Sequence, residues 1–300
     1  MRIVVALGGN ALLKRGEAPE SEIQEKHVMA AAEALAPLTR EHQLIITHGN
    51  GPQVGLLAVE NEDDPVLDHP YPLDVLGAQT QGMIGYWLVN ALRAAAGLSA
   101  VCVLTRTRVR ADDPAFARPT KFVGSGYDEP IARDLAARRG WRVARDGTAW
   151  RRVVPSPEPA GLVELPVVEL LLGAGLTVVC AGGGGIPVVE DGHSGLHGVE
   201  AVVDKDFTAA LLARETGADA LLLLTDVDAV HEDFGTPRAR PIHRITSARL
   251  RSRTFPAGSM GPKVTAACRF VDGGGRFAGI GRLEDAAELV AGTAGTIVRA

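Results

Sequence analysis

The chain has 300 residues, a formal net charge of −5 and 46% hydrophobic residues. It is too apolar and too weakly charged to stay disordered, and long enough to bury a large core as one big domain or two lobes. Mild acidity argues against a nucleic-acid binder, and no apolar run approaches 18 residues, which argues against a membrane-spanning helix.

The first element is a buried strand over Ile3–Leu7, too short for a signal segment and running straight into Gly8-Gly9-Asn10. An Ala-rich helix follows over Glu25–Leu38, then a strand over Leu44–Thr47 and a glycine-rich turn over His48–Gly55. Apolar residues at helical spacing predict a helix over Asp74–Ala96, before a strand over Ala100–Leu104. From Arg106 to Pro159 the rhythm breaks, with many charges, prolines near both ends and two tryptophans. A structureless loop of that length is improbable, so the stretch reads as a small subdomain inserted at the sheet edge. Within it, Trp141–Ala144 and Trp150–Val154 read as antiparallel strands turning at Asp146-Gly147. Beyond it come a helix over Leu165–Leu172, a strand over Leu176–Ala181, a helix over Asp206–Thr216 and a strand over Ala220–Thr225. His231–Pro241 reads as a loop. A helix over Lys263–Asp272, a strand over Phe277–Ile280, a helix over Glu284–Val290 and a strand over Thr296–Val298 close the set. Runs that are apolar on both faces and alternate with helices predict an α/β fold with a parallel sheet covered on both sides.

Glycine-rich turns follow four of the strands: Gly8-Gly9-Asn10, His48–Gly55, Gly182-Gly183-Gly184-Gly185, and the looser Thr225-Asp226-Val227-Asp228. In a parallel sheet these turns share the carboxyl edge, where ligands bind. Glycine lets backbone N–H groups approach an anion closely, and a following helix N-terminus favours negative charge. Four such turns together point to a polyphosphate or another multi-anionic ligand. The familiar nucleotide signatures are missing: there is no phosphate-loop Gly-Lys, and neither glycine run continues into a dinucleotide fingerprint. His48 reads as a turn hydrogen bond, and His193 and His197 as loop residues, not metal ligands. Cys102, Cys180 and Cys268 lie in apolar stretches and make no disulfide or metal pattern, so a reducing cytoplasm is the expected setting.

Of the 31 basic residues only five are lysines: Lys14, Lys26, Lys121, Lys205 and Lys263. In a chain that uses arginine so heavily, each remaining lysine invites the question of why arginine would not serve. Lys14 and Lys26 fall in a polar loop and on a charged helix face. Lys205 and Lys263 fall at predicted helix N-termini, where the dipole disfavours a cation, which suggests that something anionic is held there. Lys121 lies in the irregular insertion. Lysine is a compact point charge suited to a moving phosphoryl group, and phosphoryl transfer needs little beyond positioning and charge neutralisation. Asp204 and Asp206, flanking Lys205, read as carboxylates that hold lysines in place, with Asp206 also a candidate helix N-cap.

Together these motifs resemble the amino acid kinase family, and within it the carbamate kinases. The matching strings run the length of the chain in order. They include Ala6–Leu12, His48–Gly55, Gln79–Tyr86, Trp150–Pro157, Gly182–Pro187, Gly198–Asp206, Leu224–Asp228 and Met260–Lys263. The resemblance implies a three-layer αβα sandwich on an open, largely parallel sheet of about eight strands. It implies a single domain over 1–300. Its first lobe, 1–195, would hold carbamoyl phosphate and carry the protruding subdomain 106–159. Its second, 196–300, would hold the nucleotide. The implied reaction is Mg²⁺-dependent phosphoryl transfer between carbamoyl phosphate and ADP, giving carbamate and ATP, in a homodimer. Carried over by motif, Gly8, Gly9, Asn10, Asn50, Gly51, Gly183 and Gly184 would line the substrate site. Lys121, Lys205 and Lys263 would neutralise the phosphoryl group, Asp206 and Asp204 would orient lysines, and Asp226, Met260, Gly261 and Pro262 would contact the nucleotide. No nucleic acid, membrane or resident metal is implied.

One string departs from the family pattern. The lysine of the insertion is followed by Phe122-Val123-Gly124-Ser125-Gly126-Tyr127, without the prolines usual there, which predicts a looser loop. This departure keeps open a kinase of the same fold for another small acid. A nucleotide-binding paralogue without turnover is a further alternative, against which the three retained lysines argue.

Overall fold

The computed structural model describes the chain except residues 15, 193, 194 and 256–259, and except the side chains of Asn10 and Ser125. Strands follow in chain order as β1 (Arg2–Leu7), β2 (Gln43–His48), β3 (Ala100–Val103), β4 (Arg106–Arg108), β5 (Lys121–Tyr127) and β6 (Arg142–Asp146). They continue as β7 (Ala149–Val154), β8 (Gly161–Leu162), β9 (Thr177–Cys180), β10 (Ile186–Asp191), β11 (Gly195–Gly198) and β12 (Ala220–Thr225). The last are β13 (Val230–Glu232), β14 (Arg240–Ile242), β15 (Arg244–Thr246), β16 (Phe277–Arg282) and β17 (Thr296–Arg299). The helices are α1 (Ser21–Thr39), α2 (Gly51–Asp63), α3 (Leu73–Ala96), α4 (Glu129–Arg139), α5 (Leu165–Gly173), α6 (Lys205–Glu215), α7 (Ser247–Arg251), α8 (Met260–Asp272) and α9 (Ala286–Ala291).

The central sheet has eight strands in the order β15-β17-β16-β12-β1-β2-β9-β3, parallel except for the β16–β17 pair. Its strands are apolar throughout because both faces are covered. Val4, Ala6, Ile45, Leu221 and Leu223 face one core, shared with α5, α6 and α8. Ile3, Val5, Leu7, Leu44, Ile46 and Leu222 face the other, shared with α1, α3 and α9. Period-two alternation thus divides each strand between two cores, which is the three-layer arrangement. All seven strands expected from apolar runs are present. The eighth, β15, is only three residues long and carries no such run.

The chain leaves this sheet after β3. β4 pairs with β10 and β8 in a second sheet, while β5, β7 and β6 form a separate three-stranded antiparallel sheet. The expected turn at Asp146-Gly147 is present, with Asp146 opposite Ala149.

Four expectations need correction. The Lys121–Tyr127 run is not a loop but strand β5, with a register shift between Val123 and Tyr127. Gly124 takes the shift at φ +71°, and its carbonyl accepts two bonds from the Arg151 guanidinium, at 2.9 and 3.1 Å. A Cβ on Gly55 of α2 would fall 2.7 Å from Gly124 Cα, so helix and strand touch backbone to backbone. The glycine-rich turn after β2 is shorter than expected, because helix α2 begins at Gly51 with proline in its first turn. His231–Pro241 is not an open loop, since β13 and β14 pair across it, with Val230 opposite Ile242. His197 likewise lies on β11, not in a loop, 3.5 Å from an Asp191 oxygen; His193 lies outside the described residues. No helix among the described residues is long and apolar enough to cross a membrane.

Candidate active site

The four turns meet at the carboxyl edge of the sheet and interlock. Gly8 N–H donates to the Leu224 carbonyl at 2.9 Å, and Gly49 N–H donates to the Leu7 carbonyl at 3.0 Å. A Cβ on Gly49 would lie 2.9 Å from Gly9 N, so the turns after β1 and β2 pack without room for side chains. After β9, Gly182 abuts the His48 ring and Gly183 covers the Asn50 amide. Asn50 Nδ2 donates to Thr80 Oγ1 at 2.9 Å, and that hydroxyl donates to the Gly77 carbonyl at 2.8 Å. Gly183 sits at φ +66°, and a Cβ there would fall 2.2 Å from Asn50 Nδ2. Gly183→Ala is therefore expected to cost about 1–3 kcal/mol of stability through strain and overpacking. An unchanged urea midpoint would remove that constraint.

Three of the five lysines converge on this edge. Asp204 precedes α6 and caps it, one carboxylate oxygen accepting from Asp206 N–H at 2.9 Å. The cap is thus Asp204 and not Asp206, because the helix starts at Lys205, one residue earlier than the sequence pattern indicates. That shift turns Asp206 inward. Its Oδ1 accepts from Lys205 Nζ at 2.5 Å and its Oδ2 from Lys263 Nζ at 3.0 Å. The second oxygen of Asp204 accepts from Lys121 Nζ at 2.6 Å. Lys121 arrives on β5, Lys205 on the first turn of α6, and Lys263 on α8, which begins at Met260, three residues before the predicted start.

Burial makes these pairings strong. Asp206 is 4% exposed and Lys263 9%. Burial alone would raise the Asp206 carboxyl, but the two ammonium groups overcome it and hold the group well below the usual carboxylate range. Burial also pushes the Lys205 ammonium down, to about 8, against the pull of Asp206 and with the help of Lys263. On Lys263 burial works the same way, yet Asp206 more than offsets it and raises the group above its ordinary value. Three ammonium groups are thus held on two carboxylates.

A cleft of about 540 Å³ opens on this cluster. Gly8, Gly9, Lys121, Asp204, Lys205, Asp206, Asp226 and Lys263 supply its polar lining; Val227, Ala229, Phe234, Phe255, Met260 and Pro262 supply an apolar wall. Such a wall suits a planar uncharged ring, and the lysine floor suits phosphate. Asn50, Gly51, Gly183 and Gly184 do not line the cleft. Asn50, Gly183 and Gly184 are buried, and Gly51 opens α2. Gly184 packs on the Val203 carbonyl, next to Asp204. Gly261 lies in the first turn of α8 between two lining residues. Asn10 lies in the turn Gly9–Ala11, its side chain outside the described residues. His48 makes the expected turn bond, Nδ1 to the Gly49 carbonyl at 3.0 Å, and burial pushes it down to about 4, so it is neutral near pH 7.

The sequence reading missed part of the apolar wall. His231 and Phe234 reach the cleft from the β13–β14 hairpin, ring centroids 6.0 Å apart, and His231 Nε2 bonds Asp228 Oδ1 at 2.8 Å. The signal was present in buried Val230 and Ile242 on either side of the turn-forming Asp233-Phe234-Gly235.

The amino acid kinase family model matches residues 1–278. The chain belongs to the amino acid kinase family. It is 50% identical to the carbamate kinase of Rhizobium meliloti, across 99% of this chain and 93% of that one. It is also 50% identical to the carbamate kinase of Escherichia coli K12, across 99% and 98%. Among solved structures, the carbamate kinase from Giardia lamblia bound to AMP-PNP matches with a TM-score of 0.90 at 36% identity, covering 99% of this chain and 98% of that one. At 13% identity and a TM-score of 0.56, isopentenyl phosphate kinase of T. acidophilum shares the fold of this amino acid kinase. The resemblance carried by the motifs therefore holds along the whole chain, and the branch of the family is that of the carbamate kinases.

Proposed function

We infer that the chain catalyses reversible phosphoryl transfer between carbamoyl phosphate and ADP, yielding carbamate and ATP. The observation that carries this reading is the convergence of Lys121, Lys205 and Lys263 on Asp204 and Asp206 at the floor of a half-apolar cleft. In the forward step a terminal β-phosphate oxygen of ADP attacks phosphorus. The bond from phosphorus to the carbamoyl oxygen breaks, and carbamate leaves with that electron pair and later decomposes to ammonia and carbon dioxide. The transferring group spreads negative charge over its equatorial oxygens, and fixed ammonium groups lower that charge without reorganising. In this reading Lys121, Lys205 and Lys263 do that work, and Asp206 and Asp204 aim them. Gly8 and Gly9, which line the cleft, hold the phosphoryl donor with the backbone of the adjoining Asn10, while Asn50, Gly51 and the tight turn at Gly183 and Gly184 support that turn from outside the cleft. Asp226, Met260, Gly261 and Pro262 receive the nucleotide.

Mg²⁺ belongs to the substrate. Among the described residues no group of three or more His, Cys, Asp or Glu could hold a metal, and Asp204 and Asp206 are engaged by lysines. Mg²⁺ keeps most of its waters and rides on nucleotide phosphates, so the lysine floor suits a Mg²⁺–nucleotide pair. The division into a carbamoyl phosphate lobe, 1–195, and a nucleotide lobe, 196–300, follows the same reading. A homodimer is supported by exposed Leu104 beyond edge strand β3 and by exposed Val167 and Leu170 on α5, which packs on β9. The three unpaired thiols suit a reducing cytoplasmic setting.

The test is direct. Protein mixed with ADP, Mg²⁺ and carbamoyl phosphate should form ATP well above an enzyme-free blank. ATP at the blank level would overturn the reading.

A further inference from the structure

Among the described residues, Lys121 is the one cleft-lining residue supplied by the β5–β7–β6 sheet, which makes no strand pairing there with the central sheet. Something must set its distance from Asp204. On the middle strand, Arg152 stands opposite Val123, and Lys121 stands opposite Val154, so the two are neighbours two rungs apart on adjacent strands. The Arg152 guanidinium reaches out of its own sheet in two directions. Nη1 donates to Glu62 Oε1 on α2 at 3.2 Å, and Nη2 donates to Glu200 Oε1 at 3.0 Å. The other Glu200 oxygen accepts from Leu73 N–H, the first residue of α3, at 2.8 Å. Glu200 lies four residues before Asp204, and between them Val202 N–H donates to the Pro155 carbonyl at 2.9 Å. The Trp141 ring sits 5.0 Å from the guanidinium. The side chains of Arg152 and Glu62 are 16% and 8% exposed, so solvent screens the pair weakly.

We propose that Arg152 is a positioning residue for Lys121. By gripping α2 through Glu62 and the Asp204 segment through Glu200, it fixes the small sheet so that the Lys121 ammonium meets Asp204. The planar guanidinium presents separate N–H groups to two carboxylates on different elements, a fixed geometry that a lysine ammonium does not reproduce. The proposal rests on the carbamate kinase reading, and wild-type turnover tests that reading by itself.

The experiment is a double-mutant cycle on ATP formation from ADP and carbamoyl phosphate. Arg152→Gln is expected to lower kcat about 10–10²-fold, the scale of a small misplacement of a catalytic group. In a Lys121→Ala background the same change should lower kcat by less than about twofold, because the group it positions is already gone. Losses that multiply independently would overturn the proposal. Glu200→Gln, which keeps an acceptor for Leu73 N–H, should show the same non-additivity and serves if Arg152→Gln folds poorly. Amine labelling read by peptide mass spectrometry examines the contact without turnover. Arg152→Gln should speed labelling of Lys121 severalfold and leave exposed Lys26 unchanged, whereas equal Lys121 rates would refute the assignment.

Discussion

Lys205→Ala is expected to cut kcat about 10²–10³-fold, the usual cost of losing one well-aimed charge donor in a closed site. The effect should fall on kcat more than on KM for ADP, because the ammonium is asked to stabilise charge that develops in transfer. Lys205→Arg should do little better. The Lys205 side chain is enclosed, its Cε lying 3.4 Å from where a Cβ on Gly49 would stand, and a planar guanidinium does not fit that channel. Lys121→Arg and Lys263→Arg should likewise lose activity; full activity in all three arginine variants would show that lysine is not required. The same residue sets an alkaline limit. Because burial holds Lys205 at about 8, its charge is lost as pH rises past that value, and kcat/KM should decline there in the wild type. For folding the sign is opposite. The unfolded chain keeps this proton up to about 10.5, so between about 8 and 10.5 the unfolded state binds more protons and this group makes stability rise with pH. A kcat/KM profile flat to pH 10 would remove Lys205 from the reacting centre.

Asp206→Asn carries the second large effect, on stability as well as rate. It removes the negative charge shared by two buried ammonium groups and turns one of the two acceptor oxygens into an NH2 donor. Breaking a buried pair by deleting one partner typically costs about 3–5 kcal/mol, so the urea midpoint should fall markedly. The pH dependence identifies the cause. In the wild type Asp206 is held below the usual carboxylate range, so its stabilisation is present above the ordinary carboxylate pKa and is lost as pH falls through the depressed value. The variant should lack that part of the acid-induced loss. It also removes the carboxylate that supports Lys205, so residual activity should decline at lower pH than in the wild type. Wild-type stability and an unshifted alkaline limb would contradict the network.

The parts of this molecule that could be read from residues alone are those governed by local pattern. β1, β2 and β12 are apolar on both faces because helices cover both faces, and an unbroken run of Ile, Val, Leu and Ala is the direct consequence. The lysines stood out because arginine is so common elsewhere. What local pattern concealed was anything decided by a distant partner. Helix α2 carries Gly51, Pro52 and Gly55, which lower helix propensity, yet Gly55 is what allows contact with Gly124, far away in sequence. Helix α4 is so charged that no apolar stripe marks it. Asp204 took the cap predicted for Asp206 because α6 starts at Lys205, which turns Asp206 toward Lys263, 57 positions away. The bonds from Arg152 to Glu62 and to Glu200 span 90 and 48 positions, and no spacing rule announces them.

The position of β1 has a consequence for how the chain is made. It is hydrogen-bonded on one side to Gln43–His48 and on the other to β12, with Ile3 opposite Ala220 and Leu7 opposite Leu224. The middle of the sheet is therefore assembled from segments far apart in the chain. On the ribosome, β1 and β2 can pair early, but the second edge of β1 has no partner until residues 220–225 emerge. At about 5–20 residues per second, that apolar edge stands open for on the order of ten seconds. Fragments ending before Ala220 keep it open permanently and present a template for strand pairing with other chains.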